Sequence, residues 1–330
     1  MNAVGPLRLG FAPLNDAAAL IVARDKGFFG DEGLSVDLSR EASWATVRDK
    51  LSAGLLDGAH MLAPLALAMT LGAGCDVTPV IAPFAMNLGG AAVTLSTRLA
   101  AHVAGDVDAR GLAALIGRRR DQGSSPLTFA TVFPYSIHNY LLRDWLAQAG
   151  VDPDRDVRLT VVPPARTADL LADGVIEGFC AGEPWNQVAE RAGVGRTVMR
   201  AARFAPSAPD KVFAVTEDWA RADPARLQAL LRALLRASAW ADDADNRVEL
   251  AAMLEPPMNI GVERAAIAAG MSDIRFHRDG ANRPRSSHAI WLMEQMRRWG
   301  QLTSDRDADS FAARVYRPDL FDEAVTAPDA

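Results

Sequence analysis

Cysteine is nearly absent: Cys75 and Cys180 are the only two in 330 residues. They are far apart and have no partnering Cys or His at metal-ligand spacing, which excludes a disulfide framework and leaves no zinc or iron-sulfur motif. Long apolar runs are lacking too. The stretch 61–71 carries Pro64 and stops at Gly72 and Gly74, too short to cross a bilayer, so no membrane insertion is expected. Positive charge is in deficit, with a formal net charge of -6, so direct binding of a nucleic-acid backbone is not expected. No phosphate-binding loop, nucleophile elbow or complete dinucleotide fingerprint occurs. These absences lean away from catalysis and leave no cofactor or metal to assign. The N-terminus runs into an apolar strand with neither a basic stretch nor a signal-type core, from which a cytoplasmic location is expected.

What is present is a long, 49% hydrophobic chain, with material for two buried cores. Short apolar runs alternate with helical patterns over 7–13, 17–27, 34–38, 44–51, 59–62, 65–71 and 77–84. This β-α-β-α order predicts a mostly parallel sheet. Asn15 and Asp16 are candidate caps for the first helix, and Ser43 for the helix that carries Trp44. A second series follows the strand 90–96 and the Arg-rich stretch around Arg118, Arg119 and Arg120, which reads as a solvated loop. Its strands are expected at 127–132, 158–162 and 175–180, with helices at 136–149, 167–172 and 184–192. The strand 211–215 leads back to the first unit, and everything after it reads as helical. The periodicity after Asp223 and Pro224 is the cleanest, with Leu227, Leu230, Leu231, Leu234 and Leu235 on one face. Two crossings imply a hinge. The resulting division places residues 1–95 and 212–330 in one lobe, with the helical cover, and 96–211 in the other.

Polar and aromatic residues gather where strands give way to helices, the edge at which an open α/β sheet binds ligands. They are Ser43-Trp44, the run 134–138 ending in His138, the run 180–186, and Lys211 at the return crossing. His60, at the end of an apolar strand, reads as a hydrogen-bonded core histidine. Glu183, Arg48, Asp49 and Lys50 read as ion-pairing residues.

The runs Gly-Phe-Phe at 27–29, Ser-Arg-Glu-Ala-Ser-Trp-Ala-Thr-Val-Arg-Asp-Lys at 39–50, Asp-Gly-Ala-His-Met-Leu-Ala-Pro at 57–64, Val-Val-Pro-Pro at 161–164 and Phe-Cys-Ala-Gly-Glu-Pro-Trp-Asn at 179–186 resemble the nitrate and bicarbonate solute-binding family. The resemblance spans roughly residues 5 to 300 and also includes Phe133, Pro134 and His138. It implies an α/β fold of the type II periplasmic-binding-protein kind, with a small oxyanion held between two lobes. Carried over residue by residue, the site falls on Trp44, Gly89, His138, Gly182 and Lys211. Gly89 departs from the family, which usually has a polar amide at that place, and Asn87 is the candidate substitute. Lys211 points to nitrate or nitrite, because the bicarbonate-binding relatives place an acidic residue there together with calcium. The resemblance, joined to the missing export signal, implies a cytoplasmic sensor whose anion-closed form releases an RNA-binding antiterminator. The alternatives are the binding subunit of an ABC importer and, remotely, an enzyme like the thiamine-pyrimidine synthases, whose cysteine-rich iron motif this chain lacks. Lys211 is expected at the edge of the cleft, so that Lys211→Glu would abolish binding and leave folding intact.

Overall fold

The computed structural model describes residues 5–103, 108–205, 209–302 and 307–326. Its strands, in chain order, are β1 (Leu7–Phe11), β2 (Val36–Arg40), β3 (Gly58–Leu62), β4 (Val80–Gly89), β5 (Ala91–Ser96), β6 (Thr128–Thr131), β7 (Arg158–Val161), β8 (Gly178–Gly182), β9 (Gly195–Arg200), β10 (Pro209–Thr216) and β11 (Ile274–Arg275). They form two sheets. The first has six strands in the order β11-β4-β10-β3-β1-β2, and the second has five in the order β7-β6-β8-β5-β9. The fold is the expected two-lobed α/β arrangement.

The lobes differ from the sequence expectation at their joints. β5 pairs with β8 and β9, so the chain leaves the first sheet at Gly90 and not beyond residue 95. Gly89 and Gly90, with φ of 78° and 90°, make that exit, a left-handed corner that a side-chain-bearing residue resists. β9 was not anticipated, and β10, with Lys211, belongs to the first sheet, between β3 and β4. The sheets are mixed. β1 runs parallel to β2 and β3, but β10 is antiparallel to both its neighbours and β5 to both of its own. The cause is the double crossing, since strands that swap lobes return against the direction of the βαβ units.

Helices follow the sequence pattern closely. Ser43 caps Trp44–Ser52 by accepting from the Thr46 N–H at 3.1 Å, and Asp223 caps Pro224–Asp242 through the Arg226 N–H at 3.1 Å. The long helix buries Leu227, Leu230, Leu231 and Leu234, while Leu235 is only partly covered. Asn15 and Asp16 do not cap. They sit in a buried turn, Asn15–Ala17, that has no side-chain cap, and Asn15 Nδ2 donates instead to the Ile267 carbonyl at 2.9 Å. The arginine-rich stretch is not a loop but the helix Arg110–Asp121, with Leu112 and Ile116 buried. After β10 the described elements are helices apart from β11, which extends the first sheet. No described helix is long and apolar enough to cross a membrane.

Candidate functional site between the lobes

Six side chains converge where the carboxyl end of the first sheet meets the second lobe, and each arrives from a different local cause. The N-terminal turn of Trp44–Ser52 places Trp44, and Ser136, accepting from the Asn139 N–H at 3.1 Å, starts the helix Ile137–Gln148 whose first turn carries His138. β3 supplies His60, the turn after β1 supplies Asp16, and β10 supplies the adjacent Asp210 and Lys211. Trp44 is 1% exposed, and His60, His138 and Lys211 are 0% exposed.

Lys211 organises the group. Its Nζ lies 2.8 Å from Asp16 Oδ2 and 2.7 Å from Asp210 Oδ1, and 5.6 Å from the centre of the Trp44 ring. His60 Nε2 is 2.8 Å from the other Asp16 oxygen, and its ring meets Trp44 edge-on at 5.3 Å. From the second lobe, His138 Nε2 approaches Asp210 Oδ1 to 3.9 Å. Gly182 ends β8 beside them: a Cβ there would stand 3.4 Å from Asp16 Oδ2, 3.6 Å from His138 Nε2 and 2.8 Å from Leu14. A side chain there would have to displace the end of Leu14.

Protonation follows from burial set against charge. Burial opposes the ammonium of Lys211, yet the two carboxylates outweigh it and hold the group above its ordinary value. Burial likewise opposes ionisation of Asp16, but Lys211 and His60 keep that carboxyl well below the usual range. Asp210 goes the other way: burial dominates over Lys211, Asp16 adds repulsion, and the carboxyl is pushed up to about 6. Burial lowers both histidines, His138 strongly and with further help from Lys211, so both imidazoles are neutral near pH 7.

Several buried polar atoms, donors and acceptors both, are unused. The Trp44 indole N–H, both ring nitrogens of His138 and the Asn87 Oδ1 have no hydrogen-bond partner among the described residues although all are buried. Buried polar groups normally have partners, so the Trp44 N–H and the His138 ring are available to a ligand beside the ammonium.

The residues singled out from the sequence do not all meet. Trp44, His138, Gly182 and Lys211 come together. Gly89 stands apart, because the direction of a side chain at that position is closed by the Asp273 carbonyl, 2.4 Å from where a Cβ would sit. Asn87 takes its place in the cluster, paired in register with Lys211 and fully buried, with its Nδ2 donating to the Gly89 carbonyl at 2.8 Å. Lys211 is not at an edge. Sequence reasoning missed Asp16, read as a cap, and Asp210, whereas His60 is buried beside Asp16 as its reading as a paired core histidine implied. A charged Asp-Lys pair opening the apolar run 212–215 was the available signal.

Contacts from lobe to lobe close over the group. The Trp185 indole donates to the Pro13 carbonyl at 2.9 Å, the Asn15 N–H to the Glu183 carbonyl at 2.9 Å, and Tyr140 Oη to Gln301 Oε1 at 2.7 Å. Arg200 reaches Asp273 at 2.9 Å and Arg298 reaches Asp144 at 3.0 Å. Together these contacts tie the two lobes to each other around the cluster.

The chain has counterparts among known proteins. The chain is 36% identical over 336 residues to the nitrate import ATP-binding protein NrtC of Synechocystis sp., covering 96% of this chain and 49% of that protein. It is 35% identical over 330 residues to the bicarbonate transport ATP-binding protein CmpC of Synechococcus elongatus, covering 97% of this chain and 49% of the relative. It thus spans about half the length of these two relatives. The crystal structure of the periplasmic nitrate-binding protein NrtA from Synechocystis PCC 6803 superposes with a TM-score of 0.93 at 30% identity, over 99% of this chain and 90% of that one. The family model described as NMT1-like matches residues 3–255. The chain therefore belongs to the NMT1-like family and has the two-lobed fold of the periplasmic binding proteins.

Proposed function

We propose that the protein is a receptor for a small planar oxyanion, nitrate or nitrite, which it holds between its lobes and does not chemically alter. The observation that carries the reading is the buried Lys211 ammonium, surrounded by unpartnered donors from both lobes: Trp44 from the first and His138 from the second. Nitrate is flat, weakly hydrated and singly charged, with oxygens on three sides. It suits one fixed positive charge, an indole N–H and an imidazole N–H presented from different directions. Trp44, Asn87, His138, Gly182 and Lys211 are the contact residues on this reading. Nitrate relatives support it, and the lysine favours nitrate or nitrite over bicarbonate.

Calorimetric titration with nitrate, nitrite, sulfate, and bicarbonate with calcium tests the reading. Saturable heat and a thermal shift are expected with nitrate or nitrite. Heat with bicarbonate and calcium alone would replace it.

Two roles follow from closure. Delivery to a membrane import complex is favoured by the relatives, one of which is itself a nitrate import protein. Release of an RNA-binding antiterminator in the cytoplasm is the role implied by resemblance to the family's sensors. In either role the anion acts by holding the closed form, and the reciprocity of linkage applies. Co-elution of the unliganded protein with such a regulator, abolished by nitrate, would establish the sensor; co-elution unchanged by saturating nitrate would leave the import role.

A further inference from the structure

The buried cluster contains more negative charge than a site for an anion should. Asp16 and Asp210 flank a single ammonium, and His60 and His138 are neutral, so with both carboxylates ionised the group carries one net negative charge. All five side chains are at most 2% exposed, and solvent does little to screen them. Adding a monoanion would double that charge. Buried charge of one sign is relieved most readily by uptake of a proton.

We propose, resting on the oxyanion reading above, that the anion enters with one proton, and that the Asp210 carboxylate is the group that accepts it. The balance is simple: free protein, one oxyanion and one solvent proton give a complex in which Asp210 is a neutral acid. The cluster plus anion then carries the same single negative charge as the free site. The exchange also converts Asp210 from an acceptor into a donor. Its Oδ1 faces the Lys211 ammonium at 2.7 Å, whereas Oδ2 has no hydrogen-bond partner among the described residues, so a new O–H on Oδ2 is free to point at the ligand.

Geometry selects Asp210 over its neighbours. Asp16 is held from both ends, by Lys211 at 2.8 Å on one oxygen and by His60 Nε2 at 2.8 Å on the other, and so stays ionised. His138 stands in the field of Lys211 and is the group most opposed to a positive charge. Asp210 faces Lys211 from its own strand, Asp16 from the turn after β1, Asn87 from β4, His138 from the second lobe at 3.9 Å, and the buried thiol of Cys180 from β8. Of these only Lys211 favours its ionised form by charge. That ammonium must be shared with the incoming anion, which weakens the single charge keeping Asp210 ionised. Since its carboxyl already lies near 6 in the free site, little further change is needed.

The test is nitrate titration by calorimetry in two buffers of different ionisation enthalpy, phosphate and Tris, from pH 5 to 8.5. The expected result is uptake of about one proton at pH 7.5 and of almost none at pH 5, where Asp210 is already protonated. The dissociation constant should rise about tenfold per pH unit above about 6.5. In Asp210→Asn, whose amide donates at every pH, the affinity should lose that pH dependence and the proton uptake should vanish. Nitrate binding by the wild type with no proton exchange in either buffer would overturn the inference and leave the receptor reading standing. Uptake that persists in Asp210→Asn would overturn the assignment to that residue. Absence of any nitrate or nitrite binding would remove the receptor reading, and this inference with it.

Discussion

Trp185 of the second lobe donates its indole N–H to the carbonyl of Pro13 in the first, at 2.9 Å, in a contact whose polar atoms are buried. The bond joins the ends of β8 and β1 on either side of the charged cluster. As a bond between the lobes it adds its free energy to their closure and, on the proposed reading, to apparent anion affinity. In Trp185→Phe most of the ring area is kept and the donor is lost, leaving a buried carbonyl unpaired. Such a loss costs on the order of 1 kcal/mol, so the nitrate dissociation constant should rise roughly two- to tenfold. The scattering radius at subsaturating nitrate should increase. An unchanged affinity and radius would mean that closure does not depend on this bond.

Lys211 holds two carboxylates together inside the first lobe, and its removal should be felt in folding before it is felt in binding. Lys211→Ala leaves Asp16 and Asp210 buried without their counter-charge, a defect of about 3 to 5 kcal/mol. Lys211→Glu should be worse, with three acids in one dry cluster. The expectation drawn from sequence, that folding survives this change, is replaced on account of the burial. Urea denaturation of Lys211→Ala beside a Lys211→Ala, Asp210→Asn double variant checks the cause. The double variant should regain part of the lost stability, because one uncompensated acid is gone. Equal midpoints for the two would show that the ion pair is not what the lysine contributes.

The parts of the site that could be read from the sequence are those fixed by local signals. Ser43 and Ser136 are caps with definite helix starts behind them, so Trp44 and His138 could be placed in first turns before any coordinates. Gly182 closes a strand in a long recognisable run. Asp16 and Asp210 could not be placed this way, because an acid beside a turn or a strand end usually faces water, and their burial depends on Lys211 and on the other lobe. Sheet membership failed for the same reason. Nothing local tells β5 that its partners are β8 and β9, and the alternation of apolar runs with helices says only that parallel units exist. Gly89 was chosen by position along the chain, whereas the left-handed corner at Gly89 and Gly90 turns that position toward Asp273 and leaves Asn87 facing the lysine strand.

Gly182 lies at a close approach between the lobes. In Gly182→Ala the new methyl group meets Leu14 at 2.8 Å and comes within 3.4 and 3.6 Å of Asp16 and His138. Leu14 must shift or the lobes must part, and overpacking of this sort costs about 1 to 3 kcal/mol. The strain falls on the contact between the lobes, so the second lobe should fold normally while nitrate affinity falls roughly five- to hundredfold. Calorimetry with thermal unfolding of the unliganded variant separates the two effects. Full affinity would place the anion elsewhere.

Glu183 supplies a pH dependence that is separable from that of the charged cluster. It lies at the end of β8, packed against Gly270 of the first lobe, where a Cβ at Gly270 would stand 2.8 Å from its own Cβ. Burial pushes its carboxyl up to about 8, against a weaker opposing pull from Arg200, whose guanidinium is 3.5 Å away and closer to Asp273 at 2.9 Å. The folded, closed protein therefore holds a proton on Glu183 that the unfolded chain releases at ordinary carboxylate pH. The sign follows from linkage: the stabilising contribution is complete below about 4.5 and is lost as pH rises through about 8. Asp210, near 6, changes in the same direction but has finished by pH 7, and His138 acts only at lower pH, so the interval from 7 to 8 isolates Glu183. Across it the wild type should lose on the order of 1 kcal/mol, roughly the value of one pH unit for one proton. Glu183→Gln keeps the shape and carries no titrating proton, so its melting temperature should be nearly flat over the same interval. Parallel slopes for the two proteins would assign the pH dependence to some group other than Glu183.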